Sequence, residues 1–349
     1  MRIAYVLPRP ELGGGNKVIF QHVRLLQEHG EEVTVLCDGP KPDWIGIDAA
    51  YMDYAGGIRQ KLPEQDLVIA TFWTTLPLAR CLGLGPLAHF CQGYEGGLVH
   101  LRPVLREIET VYSWKLPTLT VSPYLGELLR ERFGRESRVL PPPLDPLFKP
   151  AWRLGPRRRP WIASPGLFEA EVKGIPTALE AVRRLRESGV ACRVLRFSTL
   201  PLSREERSFL EPDRYLCGVP PREIARALRA CDLLLLPSRP EEGFGLPLLE
   251  AMASKVPAVA SRIPSTVSMA EGAVSLVPPG DAAAFAAAAR ELLSSASAWR
   301  RARERGFEAS RRFRPEVVAP LLVEGIRWAC EQPQDSQLAL AAFPRENET

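Results

Sequence analysis

Two glutamates in the second half of the chain, Glu242 and Glu250, are separated by seven residues across a predicted strand-to-helix turn. The strand before them is the apolar run 233–236, closed by Pro237, which is typical of a central parallel strand covered on both faces. A helix begins near Pro247, between the two glutamates, because proline suits a first helical turn where its missing N–H has no partner. The two carboxylates therefore flank one tight turn.

The residues inside this turn favour an anionic ligand. Gly243 and Gly245 let the backbone turn sharply and approach a ligand closely. The free N–H groups and the positive dipole end of the following helix attract phosphate. We therefore expect a site that binds an anion through backbone amides and offers carboxylates to hydroxyl groups.

The stretch from Pro237 to Ala253 resembles the carboxylate signature of retaining nucleotide-sugar glycosyltransferases, the group 1 type also called glycosyltransferase family four. That signature reads Pro-Ser-x-x-Glu-Gly-Phe-Gly-x-x-x-x-Glu-Ala-Met-Ala, and the chain matches it nearly position by position. Two glutamates at this spacing alone would more often be solvated side chains near a helix start. The embedded glycines, the proline and the preceding strand favour the functional interpretation.

The resemblance implies a role for each matched residue. Glu242 would meet the donor sugar and favour an oxocarbenium-like transition state, and Glu250 would accept hydrogen bonds from the ribose hydroxyls. The diphosphate would be held by Lys173 and by backbone amides of the turn, those of Gly243, Phe244, Gly245 and Leu246.

The segment that holds the diphosphate departs from the family at one position. Gly166 followed by Lys173-Gly174 resembles the family's Gly-Arg-x-x-x-x-Lys-Gly, but Leu167 stands where the family has arginine. Lys173 and the helix start near Leu246 would then carry more of the binding, unless Arg239 or Arg262 substitutes. A solvent-exposed lysine before a helix is the alternative interpretation of Lys173.

Other matches extend over most of residues 1–330. Gly14 and Gly15 follow the first strand and resemble the family loop that covers the diphosphate, with helix packing as the alternative. Gly218 and Val219 resemble the strand end around the nucleotide base. Asp281 is predicted to cap a helix. Residues 262–266 depart from the family version, so the resemblance does not indicate which residues there contact the donor sugar.

Three residues of the first half are candidates for the acceptor side of the reaction. His89 lies in a predicted strand that leads to Tyr94 and Glu95, which we expect to enter the cleft. Relatives often use a histidine or aspartate near the reacting sugar. A lone histidine on a buried strand is nevertheless more often part of a core.

The alternation of apolar runs and helical segments predicts an α/β protein of the GT-B fold, with two Rossmann-like doubly wound domains facing a central cleft. Strands are predicted at residues 3–7, 32–36, 67–71, 87–91, 119–121, 161–164, 192–197, 215–217, 233–236, 258–260 and 275–277. Helices are predicted at 17–29 and 124–133, and from about 175, 221, 247 and 281.

The 349 residues suffice for two domains, each with its own core. We expect an acceptor-binding domain at 1–145, a Pro/Arg-rich linker at 146–160 and a nucleotide-sugar-binding domain at 161–313. A C-terminal helix at 314–330 would pack back on the first domain, and 331–349 would form a flexible tail.

Composition narrows the function classes. A net charge of +4 is too small to indicate nucleic-acid binding. Seven scattered cysteines and four unpaired histidines predict reduced thiols and no metal site. With no spanning segment and no signal peptide, we expect a cytoplasmic protein. Basic runs occur at 153–159 and 300–314. The second is predicted to be a solvated helix face, with peripheral contact with an anionic membrane as the alternative.

The predicted function is transfer of a sugar from a nucleoside diphosphate sugar to a hydroxyl of a saccharide, a lipid-linked acceptor or a small molecule, with retention and without a metal or other cofactor. A dehydrogenase fingerprint is absent, because Asn16, Lys17 and Val18 follow the glycines. A non-catalytic nucleotide-sugar-binding scaffold, motivated by Leu167, and a same-fold nucleotide-sugar epimerase remain as alternatives.

Overall fold

A computed structural model describes residues 1–55 and 62–333. Two doubly wound α/β domains are present, as predicted. In the first domain the strands are β1 (Arg2–Leu7), β2 (Glu32–Cys37), β3 (Ala50–Asp53), β4 (Leu67–Ala70), β5 (Leu87–Cys91), β6 (Thr118–Thr120) and β7 (Ser137–Val139). Its helices are α1 (Gly14–Glu28), α2 (Thr75–Leu82), α3 (Leu105–Tyr112) and α4 (Pro123–Phe133).

The second domain repeats the scheme. Its strands are β8 (Trp161–Pro165), β9 (Arg193–Ser198), β10 (Arg214–Cys217), β11 (Leu233–Leu236), β12 (Ala258–Ser261) and β13 (Ser275–Val277). Its helices are α5 (Ile175–Glu187), α6 (Arg204–Phe209), α7 (Pro221–Arg229), α8 (Leu246–Ala253), α9 (Pro264–Ala270), α10 (Ala282–Ser294) and α11 (Ala296–Ser310). Helix α12 (Pro315–Glu331) follows and includes the first residue of the predicted tail at 331–349. The tail from residue 334 onward lies outside the described residues.

Both sheets are parallel and have the strand order of a Rossmann fold. The first runs β3-β2-β1-β4-β5-β6-β7 and the second β10-β9-β8-β11-β12-β13. The order reverses between β1 and β4 in one sheet and between β8 and β11 in the other. Loops that leave the carboxyl ends of these strands border a crevice, which is where ligands bind in open α/β sheets.

The structure contains elements that the sequence patterns did not predict. Strands β3 and β7 are the two edges of the first sheet, and their side chains are mostly exposed or half-buried. They therefore lack the continuous apolar run by which a central strand is recognised. Helices α2, α3, α6 and α9 are all eight residues or shorter, too brief for a clear 3.6-residue period.

Helix α12 returns to the first domain. The Cys330 thiol donates to the backbone oxygen of Asp66 at 3.7 Å, and the Arg138 guanidinium lies 5.2 Å from the centre of the Trp328 ring. The helix packs beside α1, β4 and β6. A helix that follows the second domain thus belongs to the core of the first, and this arrangement ties the two domains together.

The basic runs serve the fold at several positions. Arg153 and Arg157 both pair with the buried carboxylate of Asp232. Arg303 donates to the backbone oxygens of Arg153 and Ala151, and Arg312 donates to backbone oxygens at 268 and 269. No helix in the described part of the chain is long and apolar enough to cross a membrane. All seven cysteines are unpaired, as predicted.

Candidate active site in the interdomain cleft

A cavity of about 490 Å³ lies between the two domains at the carboxyl ends of β1, β8 and β11. This volume lies within the range of about 300 to 1,000 Å³ usual for small-molecule sites. It is lined by eleven of the predicted site residues: Gly14, Gly15, Gly166, Lys173, Gly218, Val219, Glu242, Phe244, Gly245, Leu246 and Glu250. We call it the donor cavity, after the role that the sequence predicts for these residues.

A second cavity of about 290 Å³ adjoins the first on the side of the N-terminal domain. It is lined by the predicted residues Tyr94, Glu95 and Gly243, and we call it the acceptor cavity after the role predicted for Tyr94 and Glu95. Four residues line both cavities: Gly15, Gln92, Lys173 and Glu242. A group transferred from a ligand in one cavity to a ligand in the other would therefore move past these four residues.

Lys173 and Glu242 form an ion pair where the cavities meet. The Lys173 Nζ lies 2.7 Å from Glu242 Oε2, and the Ser238 hydroxyl donates to the same oxygen at 3.2 Å. Lys173 lies in the turn between β8 and α5, and Glu242 lies in the turn between β11 and α8. About a third of the lysine side chain is exposed, so its ammonium remains accessible to a ligand.

Glu250 lies on α8 with its carboxylate buried against the first domain. Lys17 of α1 donates to Glu250 Oε1 at 2.7 Å, and the same ammonium lies 3.1 Å from Asp145 Oδ2. Burial raises the pKa of Glu250, and Lys17 opposes this shift. Burial also disfavours the charged form of Lys17, but the two carboxylates outweigh it and raise the Lys17 pKa. The contact between Lys17 and Glu250 joins the two domains.

Glu95 and Tyr94 border the acceptor cavity at a short 3₁₀ turn. Burial raises the pKa of Glu95 to about 7, partly opposed by a hydrogen bond from the Tyr112 hydroxyl. Tyr94 is buried, with its hydroxyl 3.4 Å from Glu109 Oε1 and the Arg132 guanidinium 4.9 Å from its ring centre. Glu95 can thus take up or release a proton near neutral pH at the edge of this cavity.

His89 lies away from both cavities. It is fully buried in β5, packs edge-on against the Tyr112 ring at 5.4 Å, and neither ring nitrogen has a hydrogen-bond partner. Burial, with the nearby Arg135 charge, lowers its pKa well below the usual value. The prediction that His89 acts at the acceptor side is wrong in geometric terms, because its strand turns the imidazole into the core.

The glycines of the site allow close approach between the domains. A Cβ on Gly243 would lie 1.9 Å from the backbone oxygen of Gln92, and one on Gly14 would lie 3.2 Å from the Leu246 side chain. Gly245 precedes α8 with a φ of +92°. The Ser122 hydroxyl donates to the Gly243 backbone oxygen at 3.0 Å. The turn between the glutamates is therefore held against the first domain.

A buried arginine forms hydrogen bonds to the backbone of the loop that carries Leu167. Arg196 of β9 donates to the backbone oxygens of Ser164 and Gly166 and pairs with Glu206 at 2.6 Å. Leu167 itself lines the donor cavity. Arg262 pairs with Glu271 at 2.9 Å on the surface. Neither Arg262 nor Arg239 is among the described residues that line the two cavities.

The structure adds residues that the sequence patterns did not indicate as site residues. Lys17 and Gln92 line the donor cavity, and Glu241 lines the acceptor cavity. Asp145 contacts the Lys17 ammonium. The sequence did offer one signal for Lys17 as a site residue: it lies at the start of a helix that follows a glycine loop.

Among residues 1–55 and 62–333, no cluster of three metal-binding side chains occurs. Asp281 caps α10, as predicted, and accepts from the Ala284 amide at 2.9 Å.

Comparison with known proteins finds a family match in the second domain. Residues 159–295 match the family model described as "Glycosyl transferases group 1". WcaL of Escherichia coli (strain K12), named as a colanic acid biosynthesis glycosyltransferase, is 36% identical over 129 residues, which is 33% of this chain and 32% of that protein. A phosphatidyl-myo-inositol mannosyltransferase of Mycobacterium leprae is 32% identical over 159 residues, 44% of this chain and 42% of that protein. The matches span less than half of these relatives.

Solved structures match nearly the whole chain. Sucrose-phosphate synthase from Thermosynechococcus elongatus has a TM-score of 0.76 at 19% identity, and the match covers 94% of this chain and 98% of that one. HepE of Anabaena, solved with UDP-glucose, has a TM-score of 0.75 at 16% identity, covering 94% and 100%. The second domain therefore matches the group 1 glycosyltransferase family, and the chain as a whole has the GT-B fold that its sequence predicts.

Proposed function

We propose that the protein is a retaining glycosyltransferase that moves a sugar from a nucleoside diphosphate sugar to a hydroxyl of a saccharide or other acceptor. The observation that carries the proposal is the Lys173–Glu242 pair, which lines both cavities at the point where they meet. A cation and a carboxylate at this junction suit a reaction in which a phosphate leaves and a sugar carbon becomes electron-poor.

We place the donor in the donor cavity according to the roles that the sequence predicts for its lining residues. The base would lie near Gly218 and Val219, the ribose hydroxyls would donate to Glu250, and the diphosphate would lie against Lys173 and the start of α8. The sugar would then reach Glu242 at the junction. The bond from the sugar C1 to the diphosphate oxygen breaks, and Lys173 with the helix amides stabilises the charge that develops on the diphosphate.

The acceptor would enter through the smaller cavity beside Tyr94 and Glu95. Its hydroxyl oxygen forms the new bond to C1, and its proton leaves with the departing diphosphate. Retention of configuration requires the hydroxyl to approach from the face that the diphosphate leaves. The side-by-side position of the two cavities supports this geometry.

Nucleotide binding is the first test. UDP, GDP and dTDP are added at about millimolar concentration, and we expect at least one to raise the melting temperature, since a ligand that binds only the folded state stabilises it. HepE, which shares the fold, was solved with UDP and with UDP-glucose, so UDP is the first probe. If none of the three changes the melting temperature, the proposal fails.

Two substitutions then separate donor binding from chemistry. Glu250→Gln should weaken binding of the stabilising nucleotide by about 1.5 to 3 kcal/mol, because an amide loses charge-assisted hydrogen bonds to ribose. Glu242→Gln should chiefly lower turnover of the nucleotide sugar. Kinetics within about twofold of wild type for both variants would contradict these roles.

A second candidate is a scaffold that binds a nucleotide sugar without turnover, favoured by Leu167 in the donor cavity. Measured release of nucleoside diphosphate decides between the two, and product analysis separates transfer from epimerisation. We also propose that no metal takes part. Activity that is lost with EDTA and restored by Mn²⁺ would contradict that proposal.

A further inference from the structure

Lys17 is the one buried lysine in the described part of the chain, with 8% of its surface exposed. It lies in the first turn of α1, and its ammonium contacts Glu250 of the other domain at 2.7 Å and Asp145 at 3.1 Å. The Phe148 ring centre lies 4.5 Å from the same nitrogen. Lys17 and Glu250 both line the donor cavity.

Glu250 needs this neighbour in order to act as an acceptor of hydrogen bonds. A carboxylate accepts from sugar hydroxyls most strongly when it is ionised. Burial and the adjacent Asp145 both favour its protonated form, and the charged groups that face it are Lys17 on α1 and Asp145 in the segment after β7. Lys17 therefore supplies the positive charge that opposes both effects.

We propose that Lys17 is a positioning residue for the nucleotide, which keeps the Glu250 carboxylate ionised and directed into the donor cavity. The inference rests on the proposed function, since it assumes that Glu250 receives the hydroxyls of a nucleotide. It also goes beyond that function. The nucleotide site would be complete only when α1 of the first domain meets α8 of the second.

The proposal makes a statement about pH. Removal of the ammonium in Lys17→Met raises the pKa of Glu250 further, so this carboxyl becomes ionised only at a higher pH than in wild type. The ratio of the dissociation constants of Lys17→Met and wild type should be about tenfold or more near pH 6. It should shrink to about threefold or less near pH 9. Titration of the nucleotide itself cancels in this ratio.

The experiment measures the affinity of the full chain for whichever of UDP, GDP or dTDP stabilises it, by calorimetry across this pH range. Lys255→Met is the matched control, because Lys255 also contacts a carboxylate, Glu304 at 2.7 Å, and an aromatic ring, Phe307 at 4.8 Å, outside both cavities. It should bind the nucleotide like wild type at every pH. In the background of Glu250→Gln, Lys17→Met should show no pH dependence of the ratio.

A ratio that stays the same from about pH 6 to pH 9 would overturn the proposal, because a direct contact of Lys17 with phosphate or a purely structural role gives that result. Tighter binding by Lys17→Met would overturn it too, since the lysine would then obstruct the ribose. If wild type binds no nucleotide, both the proposed function and this inference fail. That outcome differs from a pH-independent ratio, which contradicts the inference alone.

A second variant keeps the test valid if Lys17→Met does not fold. Asp145→Asn retains the lysine and removes the carboxylate that raises the Glu250 pKa. The acidic limb of nucleotide binding should move to lower pH in this variant, because Glu250 then stays ionised further into the acid range. An acidic limb identical to that of wild type would contradict the proposal.

Discussion

Three glutamates of the cleft lie in different environments, and these differences suit different roles. Glu242 is half-buried and has Lys173 as a partner. Glu250 is buried and has Lys17. Glu95 is buried with only a hydroxyl as a hydrogen-bonded side-chain partner in the described structure, that of Tyr112. Burial raises the pKa of Glu95 to about 7, although the Tyr112 hydrogen bond and the Arg135 charge oppose the shift, so Glu95 is suited to exchange a proton near neutral pH.

The raised pKa of Glu95 predicts a pH-dependent cost to stability. The unfolded chain releases this proton near pH 4.5 and the folded protein keeps it until about pH 7, so a rise in pH across this interval favours unfolding. Glu95→Gln removes the effect. Its free energy of unfolding relative to wild type should increase by about 2 kcal/mol between about pH 5 and pH 8, measured by chemical denaturation.

The control for this comparison is Glu107→Gln, which changes an exposed glutamate of α3. Its unfolding free energy relative to wild type should stay constant over the same pH interval. An equally constant difference for Glu95→Gln would mean that Glu95 is ionised in the folded protein across the whole range.

At the level of elements, two loops of the second domain are fixed to one another. The Arg239 amide donates to the Val172 backbone oxygen at 2.8 Å. Gly174 has a φ of +59°, and a Cβ on it would lie 2.1 Å from the backbone oxygen of Pro237. The loop after β8 and the turn after β11 therefore hold Lys173 and Glu242 at a fixed separation before any ligand binds.

This arrangement predicts the behaviour of the diphosphate site. Lys173→Ala should weaken binding of the nucleoside diphosphate by about 1.5 to 3 kcal/mol, because Leu167 supplies no second charge there. Leu167→Arg should tighten binding where its side chain reaches the diphosphate. The two effects should not add, since both substitutions act on one electrostatic site. Titrations of wild type, both single variants and the double variant measure the coupling.

Lys41→Ala provides the control, as this lysine is exposed in the loop after β2. It should bind the diphosphate like wild type. If Lys173→Ala also binds it like wild type, then the helix start or Lys17 holds the phosphates and the assignment of Lys173 is wrong.

The sequence predicted the elements whose signals are local. The run 233–236, the glycines of the following turn and Pro247 specify a strand, a turn and a helix within about twenty residues, and the structure has all three. Both ends of β5 also lie where the sequence predicted them, at residues 87 and 91. Continuous apolar runs and turn residues carry enough information for such elements because each one depends on its own side chains.

The contacts that complete the site depend on the tertiary fold. Lys17 and Glu250 are 233 positions apart in the chain, and no periodicity relates them. His89 was misjudged for a similar reason. Its strand was predicted, but the face to which the imidazole points depends on how α3 and Tyr112 pack against the sheet.

At the level of the whole molecule, the cleft is closed by contacts that involve few atoms. The Lys17–Glu250 ion pair, the Ser122–Gly243 hydrogen bond and the close approach of Gly243 to Gln92 join the domains across the site. Helix α12 ties the domains together away from the site. Opening about the linker would break these contacts in the cleft, whereas α12 packs on α1, β4 and β6 of the first domain.

Gly243→Ala tests this account of closure. Its Cβ would lie 1.9 Å from the Gln92 backbone oxygen, and backbone cannot yield as a flexible side chain does, so the backbone at this contact between the domains must shift apart. We expect a larger radius of gyration in small-angle scattering and at least about tenfold weaker nucleotide binding, because the α1 side of the donor cavity moves away. Gly46→Ala, with nothing within 4 Å of its Cβ, should change neither quantity. A Gly243→Ala variant that scatters like wild type and binds the nucleotide equally well would show that the site works without this contact.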